Sequence, residues 1–129
     1  MLALIRRILS YKFFPVCWTL LIVILLCLPG SLVPGTGIFA LPNLDKVVHV
    51  FLFGMNVLFW GWHYGESIIS PSRLRNIFFL SIISTIILGI VLEYVQLYFI
   101  PNRSFDSGDI VADIAGSVVA GCWLLVRNI

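Results

Sequence analysis

IFFLSIISTIILGIVLEYVQLYFI, residues 77–100, decides the fold. It holds no charged side chain except Glu93, and Pro101 stops it. As an α-helix rising about 1.5 Å per residue it is long enough to cross a hydrocarbon core of about 30 Å with some tilt. Its few polar or small residues are not scattered. Ser81, Thr85, Gly89 and Glu93 recur every fourth position and share one helix face, with Gln96 a turn beyond Glu93 near the helix boundary.

Working outward, three further apolar stretches are expected to span. Residues 109–126 follow the loop after Pro101, residues from Asn43 or Asp45 to Tyr64 precede the connection 65–76, and residues 13–28 come first. Trp60, Trp62 and Tyr64 stand at the far end of the second span, where an aromatic belt belongs. Pro29, Gly30, Pro34, Gly35, Gly37 and Pro42 make the segment 29–43 an interfacial loop rather than a helix. Residues 1–12 set Arg6, Arg7 and Lys12 among Leu2, Ile5, Ile8 and Leu9, the pattern of a short basic amphipathic helix lying at the membrane surface. No small-x-small cleavage site follows the first apolar stretch, so it is expected to be retained as a span. No further domain is expected after Arg127.

Composition supports this reading. The chain has 129 residues, of which 60% are hydrophobic and only 11% charged, whereas soluble domains carry about 25% charged residues. The expected fold is therefore an all-α integral membrane protein: a basic N-terminal segment, 1–12, and a compact four-helix transmembrane domain, 13–129. A net charge of +2 is too small and too dispersed for a nucleic-acid surface. Cys17, Cys27 and Cys122 lie in apolar stretches without metal-ligand spacing and read as small core hydrophobes. Of the basic residues, Arg6, Arg7, Lys12, Arg73, Arg75 and Arg127 fall on one side of the spans and Lys46 and Arg103 on the other. Six against two places both termini in the cytoplasm, with the loops 29–43 and 101–108 facing outward together.

The ionisable residues gather toward that outer face. Asp45 and His49 share a face at the start of the second span, with Lys46 beside them and Asn56 further along nearly the same stripe. Asp109, Asp113, Ser117 and Gly121 form one stripe of the last span; Gly108, Ala112, Gly116 and Ala120 form the adjacent one, whose small residues allow close helix approach. Arg103 and Asp106 come from the loop between. Charge in hydrocarbon is expensive, so such groups are expected to face the bundle interior and pair. Several bland readings stay open. Asp45 and Asp109 can be first-turn capping carboxylates, His49 an interhelical hydrogen-bond partner, and Lys46 and Arg103 counter-ions or interfacial anchors. Asp109 and Asp113 invite a divalent-cation reading, but without a glycine-rich cation loop no metal and no cofactor is expected.

Asp45-Lys46 with His49, Glu93-x-x-Gln96, Pro101-x-Arg103, Asp106, Asp109, and Gly116 with Gly121 together resemble the VanZ-like family over residues 42–121. The resemblance implies a multi-pass protein of the bacterial cytoplasmic membrane. The founding member is linked to teicoplanin-type glycopeptide resistance, and the family at large has no settled biochemical activity. Matched position by position, it carries over Asp45, Lys46, His49, Glu93, Gln96, Arg103, Asp109 and Gly116. Asp113 stands where the family more often has asparagine, and Val50 where phenylalanine commonly follows the histidine.

Two functional expectations follow. One is an envelope factor that binds or alters a lipid-linked or cell-wall component, with Lys46 and Arg103 gripping a phosphate or carboxylate, Glu93 and His49 as acid and base, and Asp45, Gln96, Asp106, Asp109 and Asp113 completing the binding site. The other is a noncatalytic packing or interaction module whose polar groups pair internally and specify helix register. Membrane lipids are the expected surroundings, and a homo-oligomer through the small-residue stripes is possible.

Overall fold

The structure, a computed structural model, describes residues 1–9, 11–68 and 70–128; the side chains of Arg6, Phe39 and Asn128 lie outside that description, so the contribution of Arg6 to the charge asymmetry rests on sequence. The described residues form five α-helices and no strand: α1 (Leu2–Leu9), α2 (Phe13–Leu26), α3 (Leu44–Gly65), α4 (Pro71–Phe99) and α5 (Ser107–Asn128). Two short 3₁₀ turns, Gly30–Leu32 and Gly37–Ala40, sit in the Pro/Gly-rich loop. The all-α expectation therefore holds.

α3, α4 and α5 are each long and apolar enough to cross a membrane, which makes this a multi-pass membrane protein. α2 has 14 residues and reaches only about 21 Å by itself. It qualifies as a span only together with α1, from which it is bent by 63°. α4 begins six residues earlier than residue 77, where the sequence reading starts its span, because Pro71 occupies the first helical turn, where its missing N–H costs nothing. Its 29 residues extend about 43 Å, beyond a core of about 30 Å.

The packing is polar inside and apolar outside. His49, Asn56, Thr85, Glu93, Gln96, Asp113 and Ser117 are buried, while Ile83, Ile87, Val111 and Val119 are more than half exposed. Lipid requires that arrangement, since a polar group facing hydrocarbon has no water to bond. Two apolar clusters share the interior with these polar groups. Ile22, Leu26, Leu52, Phe53 and Leu92 pack near the end that holds the two loops; Val57, Phe78, Ile82, Ala120 and Leu124 pack toward the other. The cysteines depart from the expected core role: Cys17 and Cys122 are exposed on the apolar exterior and Cys27 is half-buried. On a thin bundle an apolar residue has more lipid to meet than core.

The small-residue stripe of α5 is spent inside the chain. Ala112 and Ala120 are buried, and a Cβ on Gly116 meets the Val50 backbone of α3. A Cβ on Gly54 of α3 comes 3.2 Å from the Gly116 carbonyl oxygen in return.

The loops meet at one end. The Gly30 N–H donates to the Pro101 carbonyl at 3.0 Å, and a side chain on Gly30 would collide with the Asn102 backbone. Asn102 itself adopts φ +57°, a left-handed turn that asparagine tolerates. Gly30→Ala is expected to push the two loops apart at a cost of about 1–3 kcal/mol. Thermal unfolding in detergent, with hydrogen exchange at residues 29–33 and 101–106, checks both the size and the location.

Candidate functional site

Three helices and one loop bring five of the chain's six acidic residues to the end where the loops meet. Lys46, in the first turns of α3, is ringed by three of them. Its Nζ lies 2.8 Å from Asp106 Oδ2, 3.2 Å from Asp109 Oδ1 and 3.3 Å from Asp45 Oδ2. All three ammonium protons thus have carboxylate partners, which leaves none for a phosphate in this arrangement. Gly108 makes room for it, because a Cβ there would come 2.6 Å from Lys46 Cε.

Asp106 does two things. Its Oδ1 accepts from the Gly108 N–H at 2.7 Å and caps α5, and its own N–H donates to Glu93 Oε2 at 3.0 Å. The Lys46 ammonium first, and the Gly108 amide second, hold the Asp106 carboxyl below the usual carboxylate range. Capping was expected of Asp45 or Asp109. The structure gives that role at α5 to Asp106, because the helix starts at Ser107 and Asp106 is the residue just before it.

Beneath Lys46 lies a buried layer. His49 Nδ1 and Asp113 Oδ1 are 2.7 Å apart, and with a carboxylate as partner Nδ1 carries the proton and donates it. The imidazole stacks on Phe53, the two planes 6° from parallel. His49 Nε2 then points toward Asp109 Oδ2 at 3.7 Å, beyond hydrogen-bond range. Glu93 closes the third side: one ligand-capable atom from each of His49, Glu93 and Asp109 lie within 4.8 Å of one another. Asp113 Oδ2 and Ser117 Oγ, both buried, have no hydrogen-bond partner among the described residues.

Gln96 and Arg103 stand slightly apart and tie α4 and its loop to the end of α2. Gln96 Nε2 donates to the Leu26 carbonyl at 2.8 Å, and Arg103 Nε to that of Leu28 at 3.1 Å. Among the described residues the terminal guanidinium nitrogens of Arg103 make no hydrogen bond. Arg103 also lines a cavity of about 260 Å³ whose walls are largely leucines, including Leu25, Leu28 and Leu52, and whose polar lining is Asp45, His49 and Arg103.

Sequence reasoning missed a second polar layer, deeper in the bundle. Thr19 Oγ1 lies 2.8 Å from both the Pro15 carbonyl and Asn56 Oδ1, Asn56 Nδ2 donates to Thr85 Oγ1 at 3.0 Å, and the Trp60 indole N–H donates to Thr19 at 2.9 Å. Trp18 Nε1 donates to the Leu52 carbonyl at 2.9 Å. The available signal was the pair Trp18-Thr19 in the middle of an otherwise uniform apolar run. Compared with protein families, curated proteins and solved structures, the chain matches none.

Proposed function

We propose that this chain is a VanZ-like protein of the bacterial cytoplasmic membrane, with four spans and both termini cytoplasmic, and that it binds an anionic, lipid-linked envelope component at its outer face. α1 lies along the inner surface and α2 crosses as the short first span. The observation that carries the functional part is the leucine-walled cavity whose polar lining is His49, Asp45 and Arg103. An amphiphile fits that contrast: its chains against the leucines, its phosphate or carboxylate on the free guanidinium nitrogens of Arg103. In the catalytic version of this reading, His49 and Glu93 act on the headgroup as base and acid.

A second reading is favoured by a specific observation: Lys46, Gln96 and Arg103 all have protein partners that join separate elements. In it the same polar groups specify helix register and no ligand is needed.

Lipids co-purifying with wild type and with Arg103→Gln from a bacterial membrane separate the two. The binding reading expects an anionic lipid-linked species retained by wild type and reduced about tenfold or more in Arg103→Gln, consistent with loss of a charge-assisted contact. Identical lipid profiles leave the packing module. In a deletion strain, Glu93→Gln at matched abundance tests chemistry: an envelope precursor that changes with wild type but not with the variant identifies the substrate class. Glycopeptide susceptibility of the same strains tests the resistance link implied by the resemblance.

A further inference from the structure

We propose that His49, Glu93 and Asp109 hold a divalent transition-metal ion of the Zn²⁺ type, with Asp113 as the carboxylate that orients His49. This does not rest on what fills the leucine-walled cavity.

The inference begins with a contrast between two carboxylate groupings that share Asp109. Asp45, Asp106 and Asp109 form a half-exposed trio whose cation is already present, since Lys46 Nζ lies within 3.3 Å of all three. The trio of His49, Glu93 and Asp109 has no such cation. With the Nδ1 proton committed to Asp113, Nε2 offers a lone pair, and it faces two carboxylates that also offer only lone pairs. In the deprotonated state that binds a metal, the three converge as lone-pair donors. His49 is 5% and Glu93 1% exposed. Nε2, in a side chain more than nine-tenths buried, makes no hydrogen bond among the described residues and lies 3.7 Å from Asp109 Oδ2, so a histidine nitrogen faces the carboxylates and the site is more than a cluster of acids.

Geometry and ligand chemistry choose the ion. Zn–N and Zn–O distances of about 2.0–2.2 Å put tetrahedral ligand atoms about 3.3 Å apart. The 3.7 Å between His49 Nε2 and Asp109 Oδ2 and the overall spread within 4.8 Å exceed that, so binding draws the three ligand atoms together. A neutral imidazole with two carboxylates suits Zn²⁺ better than Mg²⁺ or Ca²⁺, which take oxygen alone. Each ligand also has an orienting partner, as metal ligands usually do. Asp113 holds His49 at 2.7 Å, the Asp106 N–H holds Glu93 at 3.0 Å, and Lys46 holds the other oxygen of Asp109 at 3.2 Å. Three protein ligands leave a coordination position open, the arrangement of ions that polarise a carbonyl or phosphoryl oxygen. His49 also lines the leucine-walled cavity.

The full chain, purified in detergent and stripped with a chelator, is titrated with Zn²⁺ and separately with Co²⁺. The expected result is one ion per chain and a Co²⁺ visible spectrum of nitrogen and oxygen ligation without thiolate charge transfer. Glu93→Gln is expected to lose the ion, Asp113→Asn to weaken it about 10–100-fold, and Asp45→Asn to keep it. A thermal shift on adding Zn²⁺ to wild type, absent in Glu93→Gln, reads the site without activity, and circular dichroism of each variant excludes unfolding as the cause. No ion above buffer in folded wild type, a thiolate spectrum, or equal binding in folded Glu93→Gln overturns the proposal.

Discussion

Gly116→Ala is expected to destabilise the bundle by about 1–3 kcal/mol, the usual cost of overpacking, and Gly116→Val to abolish recovery of folded protein. Gly116 faces the backbone of α3, where a Cβ meets the carbonyl oxygen, carbonyl carbon and Cα of Val50. A flexible side chain can swing aside; a helix backbone can only move as a body. Separating α3 from α5 would also pull His49 from Asp113, since their 2.7 Å contact bridges the same two helices. Gly121→Ala makes the control. Its Cβ meets the Ile82 side chain, which has other rotamers, so a smaller loss is expected. Reversible unfolding in mixed micelles measures both.

The inward stripes were legible because lipid punishes polar exposure. Ser81, Thr85, Gly89 and Glu93 repeat every fourth residue, and all four are buried. Likewise the Pro/Gly-rich segment 29–43 could not be a helix, and it is a loop with two 3₁₀ turns. Partner choice was not legible. Lys46 adjoins Asp45 in sequence, yet its closest carboxylate belongs to Asp106, 60 positions away. Asp109 and Asp113 share a stripe, and the natural inference was that they act as a pair. The structure sends them to opposite nitrogens of one imidazole, because a turn of helix separates them along the axis by about 6 Å. The Asp109/Asp113 pair lacks a glycine-rich cation loop in sequence, and in the structure a different trio carries the metal proposal.

The length of α2 was misjudged for a related reason. Hydropathy reads Cys27 and Leu28 as more of the span, but the helix ends at Leu26. The carbonyls freed there are not left bare: Gln96 takes that of Leu26 and Arg103 that of Leu28. Two residues that looked like ligand contacts therefore also satisfy a helix C-terminus, a need that no local pattern in residues 13–28 announces.

His49→Ala, in chelator-stripped protein, is expected to cost about 3–5 kcal/mol, because it leaves a buried carboxylate without its hydrogen-bond donor. Asp113 is 1% exposed and its Oδ2 already lacks a partner, so removing the imidazole strands both oxygens. Asp113→Asn keeps a hydrogen-bond acceptor facing Nδ1 and is expected to cost less. The double variant His49→Phe/Asp113→Leu removes both polar groups and fills the space with apolar atoms. It is expected to recover most of the stability, because a buried pair is seldom worth more than a well-packed apolar replacement. Unfolding in mixed micelles gives the free energies of wild type and the three variants. The double variant then asks a question that stability alone does not. If it folds as wild type and still supports the envelope phenotype, His49 and Asp113 serve packing. If it folds and the phenotype is lost, a buried imidazole held by a carboxylate has been kept at the cost of stability, and what it holds in return is a ligand.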